Sequence, residues 1–409
     1  MNSTSSSRRI AVWAGAVGVA MALVSGPARA QETLRPEIGR PLQAAQELVK
    51  SGRYREALAK VREADAAGPR GGNESYLVER MRMAAASGAG DAETAARAFE
   101  AIGGSGKIAA ADKLRMIESI AGSYYRAQQY AKSMQWSQRY FREGGSSGAI
   151  RTMLIQSQYL SGDYAGAAKE LMAEVQNASS APPEDRLKLL LNAASKQGDN
   201  NAYVFAMEKL VTFYPKKEYW VDLLSRMQRK SSFSDRLSLD TYRLSLATGS
   251  MTAPADFMEM AQLALQAELP SEGKQVIDKG FATGVLGTGA QADRQKRLRD
   301  LVDKRLAEAK ASRVEDERQA VAAKSGDALA SIGMDLVYAG QAQRGAQLIQ
   351  QAITKGGLKR AEDAKLHLGI AQLSAGDKAK AQATFKTVQG TDGTADLARL
   401  WALYARRSS

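Results

Sequence analysis

Small and apolar residues recur three or four positions apart along most of the chain, the spacing that gathers them on one face of a helix. The run after Gly52 shows the pattern, with Ala57, Val61 and Ala64 followed by Pro69. Glycine-centred turns break these runs at a near-constant interval, most clearly at Gly52, Gly162, Gly198, Gly340 and Gly376. Gly162 to Gly198 is 36 residues, and so is Gly340 to Gly376. A period of this size predicts an all-α chain of stacked helix hairpins, each burying the apolar face of its neighbour.

The landmarks around each glycine are more specific. Tyr54, Ala57, Val61, Ala64 and Pro69 stand at +2, +5, +9, +12 and +17 from Gly52. A fourth unit keeps Gly162, Tyr164, Ala167 and Leu171, and a tenth keeps Gly369, Gly376, Ala381 and Phe385. A ninth has Gly333, Gly340, Gly345, Ile349 and Ala352. The third has Gln128 at the turn but retains Ala121, Tyr124, Tyr130 and Ser133, whereas the fifth keeps Gly198 and Pro215 with Tyr203 at the small-residue position. Over about residues 34–282 and 324–405 this series resembles the tetratricopeptide repeat family, in the form of an exported bacterial member. The resemblance implies a right-handed superhelical solenoid of antiparallel helix pairs, with the glycine turning the chain between helix A and helix B. Between Gly198 and Gly340 further turns are expected near Ser232, Glu268 and Lys304, the middle one supported by Ala261, Gly273, Ile277 and Gly280.

The pattern changes after residue 282. Residues 283–290 are small and turn-prone, and a charged stretch from Asp293 to about Gln319 follows without proline or glycine. Leu298, Leu301, Val302 and Leu306 give it one apolar stripe, so it reads as a long helix. The expected organisation is a cleavable leader at 1–30, a solenoid of about seven helix pairs at 31–282, the loop and connecting helix at 283–323, and a C-terminal repeat pair at 324–409. A helix from about Ala395 to Arg406, carrying Leu397, Leu400, Trp401 and Tyr404, would cap the last apolar face.

Arg8 and Arg9 precede an uncharged run from Ile10 to Val24, and Ala28-Arg29-Ala30 places small residues before a cleavage point. This is the pattern of a secretory signal peptide, with the mature chain beginning at Gln31. Ser7-Arg8-Arg9 invites a twin-arginine reading, but the following Ile10-Ala11-Val12 lacks the bulky hydrophobic pair of that class, which favours general secretion. The expected location is the periplasm, with release from the cell as the alternative. No other run reaches the ~18 apolar residues of a spanning helix, so no transmembrane span is expected after cleavage. The sequence contains no cysteine, which removes disulfides and a lipid-modified N-terminal cysteine.

Lys and Arg number 57 against 44 Asp and Glu, a net charge of +13, of which the leader supplies three arginines and no acid. The excess admits an anionic surface as partner, although a mixed solvated surface accounts for it. Arg294, Lys296, Arg297 and Arg299 are interleaved with Asp293, Asp300, Asp303 and Glu308 at helical spacing and read as a solvated face. Export and the lack of a recognised binding module argue against nucleic acid.

Catalytic patterns are sparse. His367 is the only histidine. Without cysteine, thiol nucleophiles and soft-ligand metal sites are excluded, and no Asp-x-Asp-x-Asp-Gly loop offers calcium ligands. Gly144-Gly145-Ser146-Ser147-Gly148 matches the G-x-S-x-G elbow, but between helices and not on a strand-to-helix turn. Ser271-Glu272-Gly273-Lys274 spells S-x-x-K without the companion motifs of serine–lysine enzymes. The expectation is no catalytic residue, no metal and no cofactor.

What remains is a surface. The resemblance implies that residues at the second, fifth, ninth, twelfth and thirteenth positions of each unit face a groove. Carried over, these are Arg115, Glu118, Tyr125 and Arg126 in the third unit, Thr152, Gln156 and Tyr159 in the fourth, and Lys188, Asn192 and Lys196 in the fifth. Met334 and Tyr338 follow in the ninth. Aromatic bodies with cationic and amide tips suit an extended peptide or acidic tail; alternatively, Tyr125 and Tyr159 only brace their hairpins. The leading expectation is a non-enzymatic interaction scaffold of an envelope complex, with a protein or peptide partner. The alternative is a periplasmic module binding a peptide or glycan in the groove.

Overall fold

The computed structural model describes residues 34–407; the leader and its cleavage point lie outside the described residues. The described chain is all-α, a succession of antiparallel helix pairs in two compact units that divide between Glu170 and Leu171. The first unit holds the pairs α1 (Pro36–Lys50) and α2 (Tyr54–Asp65), α3 (Gly72–Ala89) and α4 (Ala92–Gly103), and α5 (Ala110–Arg126) and α6 (Tyr130–Arg142). It continues into α7 (Gly148–Leu160) and α8 (Tyr164–Gln176), and the division between units falls within α8.

One turn builds nearly all of these hairpins. Positive φ occurs at Gly52, Gly90, Gly162, Gly198, Gly340 and Gly376, and the non-glycine residues in that region are Gln128 and Glu268, each standing where a turn glycine would be. In seven of these eight turns the next amide bonds back to the carbonyl five residues earlier, as in Arg53 N to Leu48 O (2.8 Å) and Gln341 N to Leu336 O (2.9 Å). This is the Schellman closure, which satisfies a carbonyl left open at the end of helix A and reverses the chain within three residues. The turn expected near Ser232 takes another form, a 3₁₀ turn at Asp235–Leu237 without positive φ, and Lys304 falls inside a helix, so no turn exists there.

Packing within the first unit follows the small-residue pattern. Ala57, Val61 and Ala64 on α2 are fully buried and meet Ile38 and Ala45 on α1. Farther along, Phe99 is fully buried with its ring 5.5 Å from Trp136, edge to face, among Ile117, Ile120 and Ala121. Burying one such ring contributes about 1.5–3 kcal/mol.

The second unit begins with α9 (Glu184–Gln197), α10 (Asn200–Phe213), α11 (Lys217–Gln228) and α12 (Ser238–Thr248), then α13 (Pro254–Gln266) and α14 (Pro270–Ala282). The charged stretch is one uninterrupted helix, α15 (Ala292–Ala322). It is followed by α16 (Asp327–Tyr338) with α17 (Ala342–Lys355), α18 (Ala361–Ser374) with α19 (Lys378–Thr387), and α20 (Thr394–Arg407). α20 buries Leu397, Leu400 and Trp401, stacking Trp401 on Phe385, and it also returns to touch α10 and α12. The second unit therefore closes on itself.

The tightest approach in the unit is between α16 and α17. A Cβ on Gly333 would stand 2.8 Å from the Gly345 carbonyl oxygen and 2.7 Å from Ile349 Cγ1. Gly333→Ala should therefore lower stability by about 1–3 kcal/mol, reversing the usual gain from replacing a helical glycine. Gly122 is the control: its Cβ would meet only the flexible Arg126 Nη1 at 3.3 Å and Met153 Cε at 3.8 Å. Thermal melts of the two variants should shift in opposite directions, and a neutral Gly333→Ala would contradict this packing.

Candidate functional site

Surface residues in the first unit come from helix A of two consecutive pairs. On α5, Arg115 is exposed and pairs with Asp112 at 3.1 Å, one turn earlier, while Glu118 is half-buried. Arg126, at the helix end, is exposed. Its guanidinium folds over Gly122 and donates to Ser123 Oγ at 3.1 Å, with no carboxylate in ion-pair range among the described residues. On α7, Thr152 is half-buried, Gln156 is exposed and Leu160 is 50 % exposed.

The tyrosines have two roles. Tyr125 packs edge to face on Tyr130 at 5.6 Å, and Tyr159 does the same on Tyr164 at 5.4 Å. Each ring braces helix A against helix B of its own hairpin, the structural role allowed for from the sequence. The Tyr125 hydroxyl also donates to Gln156 Oε1 at 2.8 Å, tying α5 to α7, and burial raises its phenol above the ordinary value. Arg126, Gln156 and Leu160, with the Asp112-paired Arg115, are thus the exposed members of this face.

The remaining expected positions lie in the second unit. Lys188 is engaged with Glu184 at 3.0 Å. Hydrogen bonds from Lys216, Tyr219 and Lys188 hold the Glu184 carboxyl down to about 2, so this lysine belongs to the α9–α11 contact. Asn192 and Lys196 are exposed on α9. Met334 is 1 % exposed and forms core, so it offers no surface to a partner. Tyr338 is half-buried beside charged groups, not in the apolar patch expected of it.

Those groups form a feature that sequence reasoning did not find. Arg243 on α12, with its side chain 2 % exposed, donates through Nε and Nη2 to both Glu272 oxygens at 2.7 and 2.6 Å, and through Nη1 to Asp240 at 2.7 Å. His367 on α18 brings Nε2 to 2.8 Å from Asp240 Oδ1 and 3.0 Å from Arg243 Nη1. Burial would lower the Arg243 pKa, but Glu272 and Asp240 outweigh it and hold the guanidinium far above its usual value. Burial likewise pushes Asp240 up, and its contacts with His367 and Arg243 overcome this to hold it below the carboxylate range. Burial and the nearby Glu272 carboxylate raise the Tyr338 phenol well above 10.

A second knot adjoins it. Asp335 on α16 accepts from Ser271 N at 2.8 Å and Ser271 Oγ at 2.9 Å, and it also pairs with Arg313 of α15. The carboxylate thus caps the start of α14 from another hairpin. Ser271 is consumed by this cap, and Lys274 by Asp278 and Asp303, so the S-x-x-K spelling describes two structural side chains. Ser146 lies exposed in the loop between α6 and α7, a helix-to-helix setting. Among the described residues, no three His, Cys, Asp or Glu side chains gather as a metal site, and no helix is long and apolar enough to cross a membrane.

No protein-family model matches the chain, and no curated protein does. Among solved structures, the chain is similar to Naa15/Naa10 bound to HypK-THB at 15 % identity, over 88 % of this chain and 59 % of that one, with a TM-score of 0.29. It spans less than two thirds of that relative. Yeast Tom70 is 11 % identical over 91 % of this chain and 96 % of its own, with a TM-score of 0.25. The P58(IPK) TPR domain is 11 % identical over 90 % and 97 %, with a TM-score of 0.22. The helix-pair array is defined by this chain's own turns and packing.

Proposed function

We propose that this protein is a non-enzymatic interaction scaffold, exported to the periplasm, whose first unit holds an extended segment of an envelope protein. The observation that supports this most is the α5–α7 face, where Arg126, Gln156 and Leu160 stand exposed on two rigid helices. They offer a cation, an amide and an apolar anchor at fixed spacing, a combination suited to peptide recognition and not to bond cleavage. The carboxylate-free guanidinium of Arg126 favours an acidic segment. The leader motif at Arg8 to Ala30 supports export.

In-cell crosslinking of the exported, tagged protein, followed by mass spectrometry, tests the proposal. The expected result is capture of a reproducible envelope protein by a chain that begins at Gln31. Combining Leu160→Ala with Arg126→Ala should weaken that partner's affinity roughly 10- to 100-fold with helix content unchanged. Recovery of the protein alone would favour a small peptide or glycan ligand, and a large loss of helicity would assign these residues to the fold.

A further inference from the structure

We propose that the second unit is a ring held shut by an electrostatic clasp, and that raised ionic strength opens it without unfolding its helix pairs. This goes beyond the scaffold reading and does not depend on it.

The clasp is where α18 and α20 meet α10, α11 and α12. Lys230 pairs with Asp396 at 2.7 Å, and Arg399 pairs with Glu208. Arg236 lies between Asp363 and Asp392 and also reaches Thr394 Oγ1 at 3.2 Å. His367 adds its bond to Asp240 from the inner side. These partners are between 127 and 191 residues apart in sequence. One backbone bond crosses the same seam among the described residues, Ser234 N to Asp392 O at 2.9 Å, and the Phe233 ring fills the space beside Gly393.

Within hairpins elsewhere in the unit the two helices join through apolar cores, such as Leu329, Leu336, Leu348 and Ala352 between α16 and α17. At the seam, ion pairs join distant elements beside the close packing of Phe233 and Leu237 on Gly393. The side chains of Lys230, Arg236, Arg399 and their carboxylate partners are 18–45 % exposed, so salt reaches and screens them. Closure also covers Asp240 and Arg243, whose outward contact is His367 on the opposing side. Opening would therefore present a charged inner face now shielded from partners.

The chain has no cysteine, so a single engineered pair reports the distance cleanly. Ser232 and Thr391 are exposed on opposite sides of the seam. Spin labels on Ser232→Cys and Thr391→Cys in the full chain, read by double electron–electron resonance, should give one short distance at low salt. In 1 M NaCl the ratio of long to short distances should rise roughly tenfold or more, with the far-ultraviolet helix signal constant. Arg236→Glu should produce the long distance at low salt, and exchanging charges with Arg399→Glu plus Glu208→Arg should keep the short one. An unchanged distance in both high salt and Arg236→Glu would overturn the clasp. So would helix loss that tracks the opening, because the seam would then be part of the folding core.

Discussion

Arg243→Ala is expected to lower stability by about 3–5 kcal/mol, one of the two largest effects of any substitution considered for this protein. The reason is what it leaves behind. Glu272 is fully buried and Asp240 is 5 % exposed, and both lose the guanidinium that now satisfies them. With the guanidinium gone, burial favours the protonated form of a buried carboxylate, and Asp240, although His367 still faces it, rises relative to the parent. A raised folded pKa gives stability that is present below the unfolded pKa and lost as pH rises through the folded one. The deficit of Arg243→Ala should accordingly shrink as pH falls towards 5, whereas in the parent Asp240 is held below the carboxylate range and keeps its contribution across that window. Urea melts of both proteins across pH 5 to 8 check this. Combining Arg243→Met with Glu272→Met should recover part of the loss, since an apolar replacement removes the unpaired charge. A deficit independent of pH would mean that packing, not charge, explains the effect.

Ala57→Glu should be comparably damaging in the first unit. Ala57 is fully buried on α2, among Ile38, Ala45, Val61 and Ala64, where the close helix approach leaves no path for a longer side chain to reach water. A carboxylate forced into that contact either desolvates or pries α1 from α2, and either outcome costs several kcal/mol. Circular dichroism and thermal melting give the readout, with Ala57→Ser as a small polar control. Parent-like melting of Ala57→Glu would displace the repeat register by at least one residue.

The array was legible because its signals are local. A turn that reverses a chain in three residues needs positive φ, glycine supplies it, and the small residue at +5 from the turn reports the helix approach, as Ala57 does from Gly52. Gln128 was readable as a turn because Tyr124 and Tyr130 flank it at the expected offsets. The buried charges were not readable. Asp240 and Arg243 sit three residues apart on a helix, as any solvated pair does, and their burial depends on Glu272 and on His367, which is 127 residues from Asp240. Closure of the second unit was hidden for the same reason: each half of an ion pair looks like ordinary surface until the two meet. On the α5–α7 face the sequence located the tyrosines but not which surface they spend on their own hairpins, because that depends on Tyr130 and Tyr164 in the following helices.

The length of α15 acquires a meaning from what holds its two ends. Leu298 and Val302 are buried near its start, Ala320 near its finish, and Arg313 must point at Asp335. No residue between Asp303 and Ser312 is buried, so the middle is a solvated shaft that transmits rotation. One residue inserted there would turn the far end by roughly 100° and swing Arg313 off its carboxylate. Seven would restore the angle to within about 20° but displace that end by about 10 Å. The helix therefore works as a phase-keeper, and its 31 residues are a timing as much as a distance.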